Sequence, residues 1–154
     1  MIEISRTIAT TAPPAKVMEF FMRFSEHYVE MWPEAHKEYR HLSEGLPTVG
    51  STFRFVQEVK GRRRAVTGVM TKMEPAGFEW RMKPLALMGG GYRFRPLPDG
   101  GTEITQIVFY GPSWPVIGGL VAWIMQRLAM SRDTLEEFVE EETTRLKQAL
   151  EAGD

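Results

Sequence analysis

All three histidines of the chain fall within fifteen residues, in the run His27-Tyr28-Val29-Glu30-Met31-Trp32-Pro33-Glu34-Ala35-His36-Lys37-Glu38-Tyr39-Arg40-His41. Neutral imidazole binds metals and exchanges protons near neutral pH, so this run is one place where chemistry can sit. Its plainer reading is a polar surface loop. A second run, Gly61-Arg62-Arg63-Arg64, places three guanidinium groups at a turn, where they can grip a phosphate or a carboxylate. The expected reading there is a solvated hairpin tip that also discourages edge-to-edge strand pairing. The third feature is a load of ten methionines and four tryptophans. Methionine is flexible and polarizable, which suits the wall of an adaptable cavity as well as the filling of a core.

Other chemistry is excluded by what the chain lacks. Without cysteine there are no disulfides, thiolate metal sites or cysteine nucleophiles. Gly89-Gly90-Gly91 leads into a strand and not a helix, so it is no phosphate-binding loop of the P-loop or dinucleotide type. Neither a Gly-x-Ser-x-Gly elbow nor a His-Glu-x-x-His pair is present. A formal charge of −1 supplies no field to hold a polyanion, so no nucleic-acid partner is expected.

The elements that must position these residues follow from periodicity. Residues 2–8 alternate as a half-buried strand, with Ile2, Ile4 and Ile8 on one face. Pro13-Pro14 suit the first turn of a helix over Ala15 to Phe24, and Ser25 is placed to cap a second, Glu26 to Trp32, stopped by Pro33. Strands are expected over 36–44, 51–60, 62–73 and 78–83, then from Tyr92 after a glycine-rich loop at 88–91, and over 102–110. Pro98-Asp99-Gly100-Gly101 makes the last hairpin. From Val116 to Leu150 one face stays apolar at helical spacing, and Ser131-Arg132-Asp133 marks a kink or a new cap within it.

A length of 154 residues suits one domain, and 43% hydrophobic with 25% charged residues is ordinary globular composition. The longest apolar stretch, Trp114 to Met125, is shorter than the roughly 18 residues a bilayer span takes. No secretory signal is visible at the N-terminus. The expectation is a cytoplasmic protein without a membrane span, all within one domain, 1–154. Strand, two short helices, six strands and a long helix make an α+β fold with an antiparallel meander.

At this point the chain resembles the helix-grip superfamily: START lipid-transfer domains, Bet v 1-like proteins and polyketide cyclase/dehydrase-like bacterial proteins. The resemblance is carried by Ala12-Pro13-Pro14-Ala15-Lys16-Val17, Val49-Gly50-Ser51-Thr52-Phe53, Glu74-Pro75 and Pro98-Asp99-Gly100-Gly101-Thr102, in that order along nearly the whole chain. It implies a curved sheet gripping the C-terminal helix, with a ligand cavity between them. The expected wall positions are Trp32, Phe55, Met70, Trp80, Tyr92 and Phe94, together with Tyr110, Gly119 and Trp123.

The function so implied is binding of a small, largely apolar aromatic, polyketide or lipid-like ligand, with cyclase or dehydratase chemistry as an added expectation. His36 and Tyr110, then Glu58, are the acid–base candidates. No cofactor is expected, and a homodimer is admitted. One alternative comes from Trp32-Pro33-Glu34-Ala35-His36, which resembles a segment of diacetylphloroglucinol hydrolase-like metal enzymes. That resemblance implies a metal set of His36, Glu58, Asp133 and Glu137. With one histidine and three carboxylates it is a poor zinc set and suits manganese or iron better. A cochaperone-like protein-interaction module is the other alternative.

Overall fold

The computed structural model describes residues 2–84, 86–111, 117, 120, 121, 123, 124 and 131–152. Strand β1 (Ile2–Thr10) is followed by helices α1 (Pro14–Met22) and α2 (Phe24–Met31). Six strands come next: β2 (His36–His41), β3 (Thr52–Val59), β4 (Arg62–Glu74), β5 (Gly77–Met82), β6 (Met88–Pro96) and β7 (Thr102–Tyr110). The last helix, here α3, spans Arg132–Glu151. The strands form one antiparallel sheet in the order β1-β7-β6-β5-β4-β3-β2. Because β1 and β2 are its two edges, the sheet is open, and it curves around α3 in the helix-grip arrangement expected from the sequence.

Local chemistry explains most of the boundaries. Pro14 opens α1, and the carbonyl of Pro13 accepts from the N–H groups of Lys16 and Val17. The expected Ser25 cap is not used: α2 already begins at Phe24, with Arg23 at its N-cap and no side-chain capping bond. At the β3–β4 turn both Lys60 (φ 49°) and Gly61 (φ 77°) are left-handed, the backbone of a tight two-residue hairpin. Asp99 Oδ1 accepts from the Gly101 N–H at 2.9 Å to close the β6–β7 hairpin.

The expected glycine loop at 88–91 is instead the start of β6. A Cβ at Gly89 would lie 2.4 Å from the Trp80 carbonyl oxygen, and one at Gly91 would lie 2.3 Å from that of Phe78. Glycine is used there because two strands approach too closely for a side chain.

Ser131 resolves the question of the long helix. Its hydroxyl accepts from the Thr134 N–H at 3.2 Å, so α3 starts at a new cap. Its buried stripe is Leu135, Phe138, Val139, Glu142, Thr143, Leu146 and Leu150. Leu135 and Val139 pack with Ile4 and Tyr110, whereas Leu146 and Leu150 pack with Val17, Phe21, Phe94 and Ile104.

Candidate functional site

Between the sheet and the two helices α2 and α3 lies a cavity of about 110 Å³. Strand alternation decides what faces it. From β3 come Phe53, Phe55, Gln57 and Val59, and from β4 come Arg64, Val66 and Met70. Phe78 and Trp80 of β5, Tyr92 of β6, and Gln106 and Tyr110 of β7 continue the wall. Helix α2 contributes Phe24 and Tyr28, and α3 contributes Leu135, Phe138 and Glu142.

Most of this wall is aromatic. Trp80 meets Phe53 and Phe55 edge-on at 5.6 and 5.4 Å between ring centroids, and Tyr39 stacks on Phe53 at 5.6 Å. Such contacts fix the rings in relation to one another, while Met70 and Met88 bring to the same wall unbranched side chains with several rotatable bonds.

Gln57, Arg64, Gln106 and Glu142 interrupt the apolar surface, and His36 lies behind it. Gln106 is buried, and its Oε1 has no hydrogen-bond partner. Glu142 is 5% exposed and His36 fully buried, with His36 Nε2 at 3.5 Å from Glu142 Oε1. The other ring nitrogen, Nδ1, lies 2.8 Å from the carbonyl oxygen of Tyr28. The imidazole also lies flat on the Tyr28 ring, 3.8 Å between centroids, with Trp32 and Phe138 beside it. Arg64 stands toward the other end, where its charge reaches Tyr110.

The phenols report the environment. Burial, and after it the charge of Glu142, pushes Tyr28 and Tyr92 well above the ordinary tyrosine value. Burial likewise raises Tyr39, and it raises Tyr110 against the opposing effect of Arg64. All four are held as neutral phenols at physiological pH.

The structure brings Phe55, Met70, Trp80, Tyr92 and Tyr110 together on the wall. Phe94 is set differently, in the solid core beside Phe21 and Phe78. Trp32 packs behind the wall against Phe138, 4.9 Å between ring centroids. Trp123 is half exposed and is not among the lining residues. Gly119 lies outside the described residues. His36 backs the cavity through Glu142, whereas Glu58 is turned to the opposite face of β3, because Gln57 and Val59 take the inward positions.

That alternation also dismantles the alternative metal set. Asp133 is exposed on the first turn of α3, and Glu137 is exposed and pairs with Lys60 at 3.7 Å. Among the described residues no group of three or more histidine, aspartate or glutamate side chains is placed to hold a metal ion. Nor is any helix of the described residues long and apolar enough to cross a membrane.

Glu142 and Gln106 were not singled out from the sequence. A signal was present for the first of them. Phe138, Glu142 and Leu146 follow one another at four-residue steps, which puts the carboxylate in the middle of the apolar stripe. Gln106 stands on the same strand face as the buried Ile104 and Tyr110, which marks it as another inward polar residue.

The chain matches the model of a family described as polyketide cyclase/dehydrase and lipid transport over residues 1–151. Among solved structures it is similar to a START superfamily protein from Mycobacterium smegmatis, at TM-score 0.73 and 16% identity, with 99% of each chain covered. It is similar as well to the Zhui aromatase/cyclase from Streptomyces sp. R1128, at TM-score 0.67 and 21% identity, covering 97% of this chain and 90% of that one. Major latex-like protein 151 from Panax ginseng gives TM-score 0.69 at 10% identity, with 95% of each chain covered. No curated protein matches the chain in sequence.

Proposed function

On the premise that the chain belongs to the polyketide cyclase/dehydrase and lipid transport family, we propose that it binds a small, largely apolar ligand between the sheet and α3. The observation that supports this most is the cavity itself: an aromatic and methionine wall around about 110 Å³ that the surrounding core does not fill. An apolar cavity of about 150 Å³ accepts a benzene ring, so the resting space is close to single-ring size. Larger aromatic, polyketide or lipid-like ligands enter as Met70 and Met88 change rotamer.

The magnitude is modest for a single ring. Burying roughly 200 Å² of apolar surface at about 25 cal/mol/Å² gives about −5 kcal/mol, an affinity of roughly 0.1–1 mM. Each added ring strengthens this, as long as the wall yields.

Ring closure or dehydration by orienting the bound compound is the finer part of the proposal. It is supported by the imidazole of His36 standing 3.5 Å behind the buried carboxyl group of Glu142. In such chemistry Tyr110 acts as a proton donor and not as a base, because burial keeps its phenol neutral.

The test is a graded series, toluene, naphthalene and an anilinonaphthalene sulfonate dye, followed by calorimetry and thermal midpoint. Saturable binding with one site per chain and a rising midpoint is expected. Filling the space through Val66→Phe should weaken all three probes without unfolding the domain. Failure of every probe would overturn the carrier and cyclase readings together.

A second reading, a protein-interaction module that includes self-association as a homodimer, is supported by a different observation. Ile117, Leu120, Trp123 and Ile124 are each 40–58% exposed ahead of α3. Light scattering of the purified protein tests it: a dimer that Leu120→Glu converts to monomer supports self-association, and a monomer at all concentrations excludes it.

A further inference from the structure

We propose that Glu142, backed by His36 and joined by Gln106, determines specificity in the cavity by selecting ligands that carry a hydroxyl group on their apolar body. This rests on the ligand-binding reading above.

The argument begins with the imidazole. Its Nδ1 lies 2.8 Å from a backbone carbonyl oxygen, which can only accept, so Nδ1 carries a proton. Nε2 then faces Glu142 Oε1 at 3.5 Å. His36 is fully buried and Glu142 nearly so. At that separation Nε2 makes no hydrogen bond, so His36 stands beside the carboxyl group without satisfying it.

Acceptor capacity faces the cavity here. Glu142 lines it, and its carboxyl group is an acceptor with several lone pairs. Gln106 Oε1, on the same wall, is buried and has no partner. Buried acceptors without donors are costly, by more than a satisfied hydrogen bond returns. A ligand that brings a donor to this end of the cavity removes that cost.

Desolvation decides which donor. Arg64 stands on the same wall, so a cation brought into the cavity would be stripped of water and buried beside a like charge. A neutral hydroxyl, phenolic or alcoholic, gives a hydrogen bond at no charge cost.

The test compares near-isosteric probes on the purified full chain: phenol, toluene and benzylamine, with dissociation constants from the methionine methyl NMR signals of the wall. A cavity without usable acceptors prefers toluene, because a buried hydroxyl lacking a partner is penalised. The expectation is phenol at least about tenfold tighter than toluene, the gain typical of a hydrogen bond to an ionisable group. In Glu142→Leu the preference should reverse, and in Glu142→Gln, which keeps an acceptor, phenol should still be preferred. If either variant fails to fold, the wild-type ratio decides alone. Toluene binding as tightly as phenol, or benzylamine binding more tightly, would overturn this inference and leave the cavity reading intact. Binding of none of the three would overturn both.

Discussion

The two ends of the molecule's interior are built from the same kinds of residue and finished differently. At one end Val17, Phe20 and Phe21 of α1 meet Phe94, Ile104, Leu146 and Leu150, none of which borders the cavity; this filled end carries a groove of about 460 Å³ beside Phe20 and Leu150, among charged side chains such as Glu19, Arg23 and Glu30. Phe21 alone contacts five other rings at centroid distances of 4.5–5.7 Å. At the other end Tyr28, Phe53, Phe55, Val66 and Met70 form an equally aromatic cluster, yet all five border the cavity. The difference is polar. Among the described residues, none of the buried side-chain atoms without a hydrogen-bond partner belongs to the filled end, whereas Tyr28 OH, His36 Nε2 and Gln106 Oε1 lie at the open end. An apolar region can collapse until it is solid; one that carries unpaired acceptors cannot collapse without desolvating them completely. The cavity thus persists through chemistry as well as shape.

The largest effect that separates the two ends should come from alkali. All four tyrosines of the chain, Tyr28, Tyr39, Tyr92 and Tyr110, border the cavity, and burial raises every one of them above its ordinary value. A group whose folded value is raised contributes stability in full below its unfolded value, about 10 for tyrosine. That contribution is lost as pH climbs from there toward the folded values. Absorbance near 295 nm should therefore show little phenolate until the domain unfolds above about pH 10, and then a single cooperative rise. Gradual, independent ionisation of the phenols would mean that the cavity is open to water.

Truncation should separate the ends next. Phe21→Ala in the filled end is expected to cost about 3–5 kcal/mol in urea unfolding. Phe138→Ala is expected to cost less, about 2–3 kcal/mol, because one side of that ring already borders empty space and has fewer contacts to lose. The enlarged cavity should also bind naphthalene more tightly than the wild type does. Equal costs and unchanged binding would remove the distinction. The smallest effect belongs to neither end: Ser131→Ala removes the α3 cap and should cost about 1 kcal/mol while leaving probe binding unaltered.

The fold was legible because its elements announce themselves locally. Alternation in β1 and β3, the Lys60-Gly61 and Asp99-Gly100 turns, and the apolar stripe of α3 each depend on near neighbours in sequence. What escaped depends on distant ones. The glycines of β6 read as a loop because only the approach of β5 explains them. Phe94 and Tyr92 share one strand face, and nothing local says that the first meets α1 while the second reaches the cavity. Glu142 stands in a run of helix acids that residue type alone does not separate, although its position between Phe138 and Leu146 marks it as inward. The pairing of His36 with Glu142 joins residues more than a hundred positions apart and could be found only in three dimensions.

The most direct measurement uses the methionines as reporters. Met70 and Met88 line the cavity, whereas Met18 and Met22 sit on α1 away from it. In protein labelled with carbon-13 at the methionine methyl groups, titration with toluene should shift the Met70 and Met88 signals along one saturable curve, and those of Met18 and Met22 should stay in place. Assignments follow from single Met→Leu variants. Saturable shifts confined to the two wall methyls would establish that a small apolar molecule occupies the space between the sheet and α3. No shift at Met70 and Met88 up to the solubility of toluene, or equal and non-saturating shifts at all four, would contradict it.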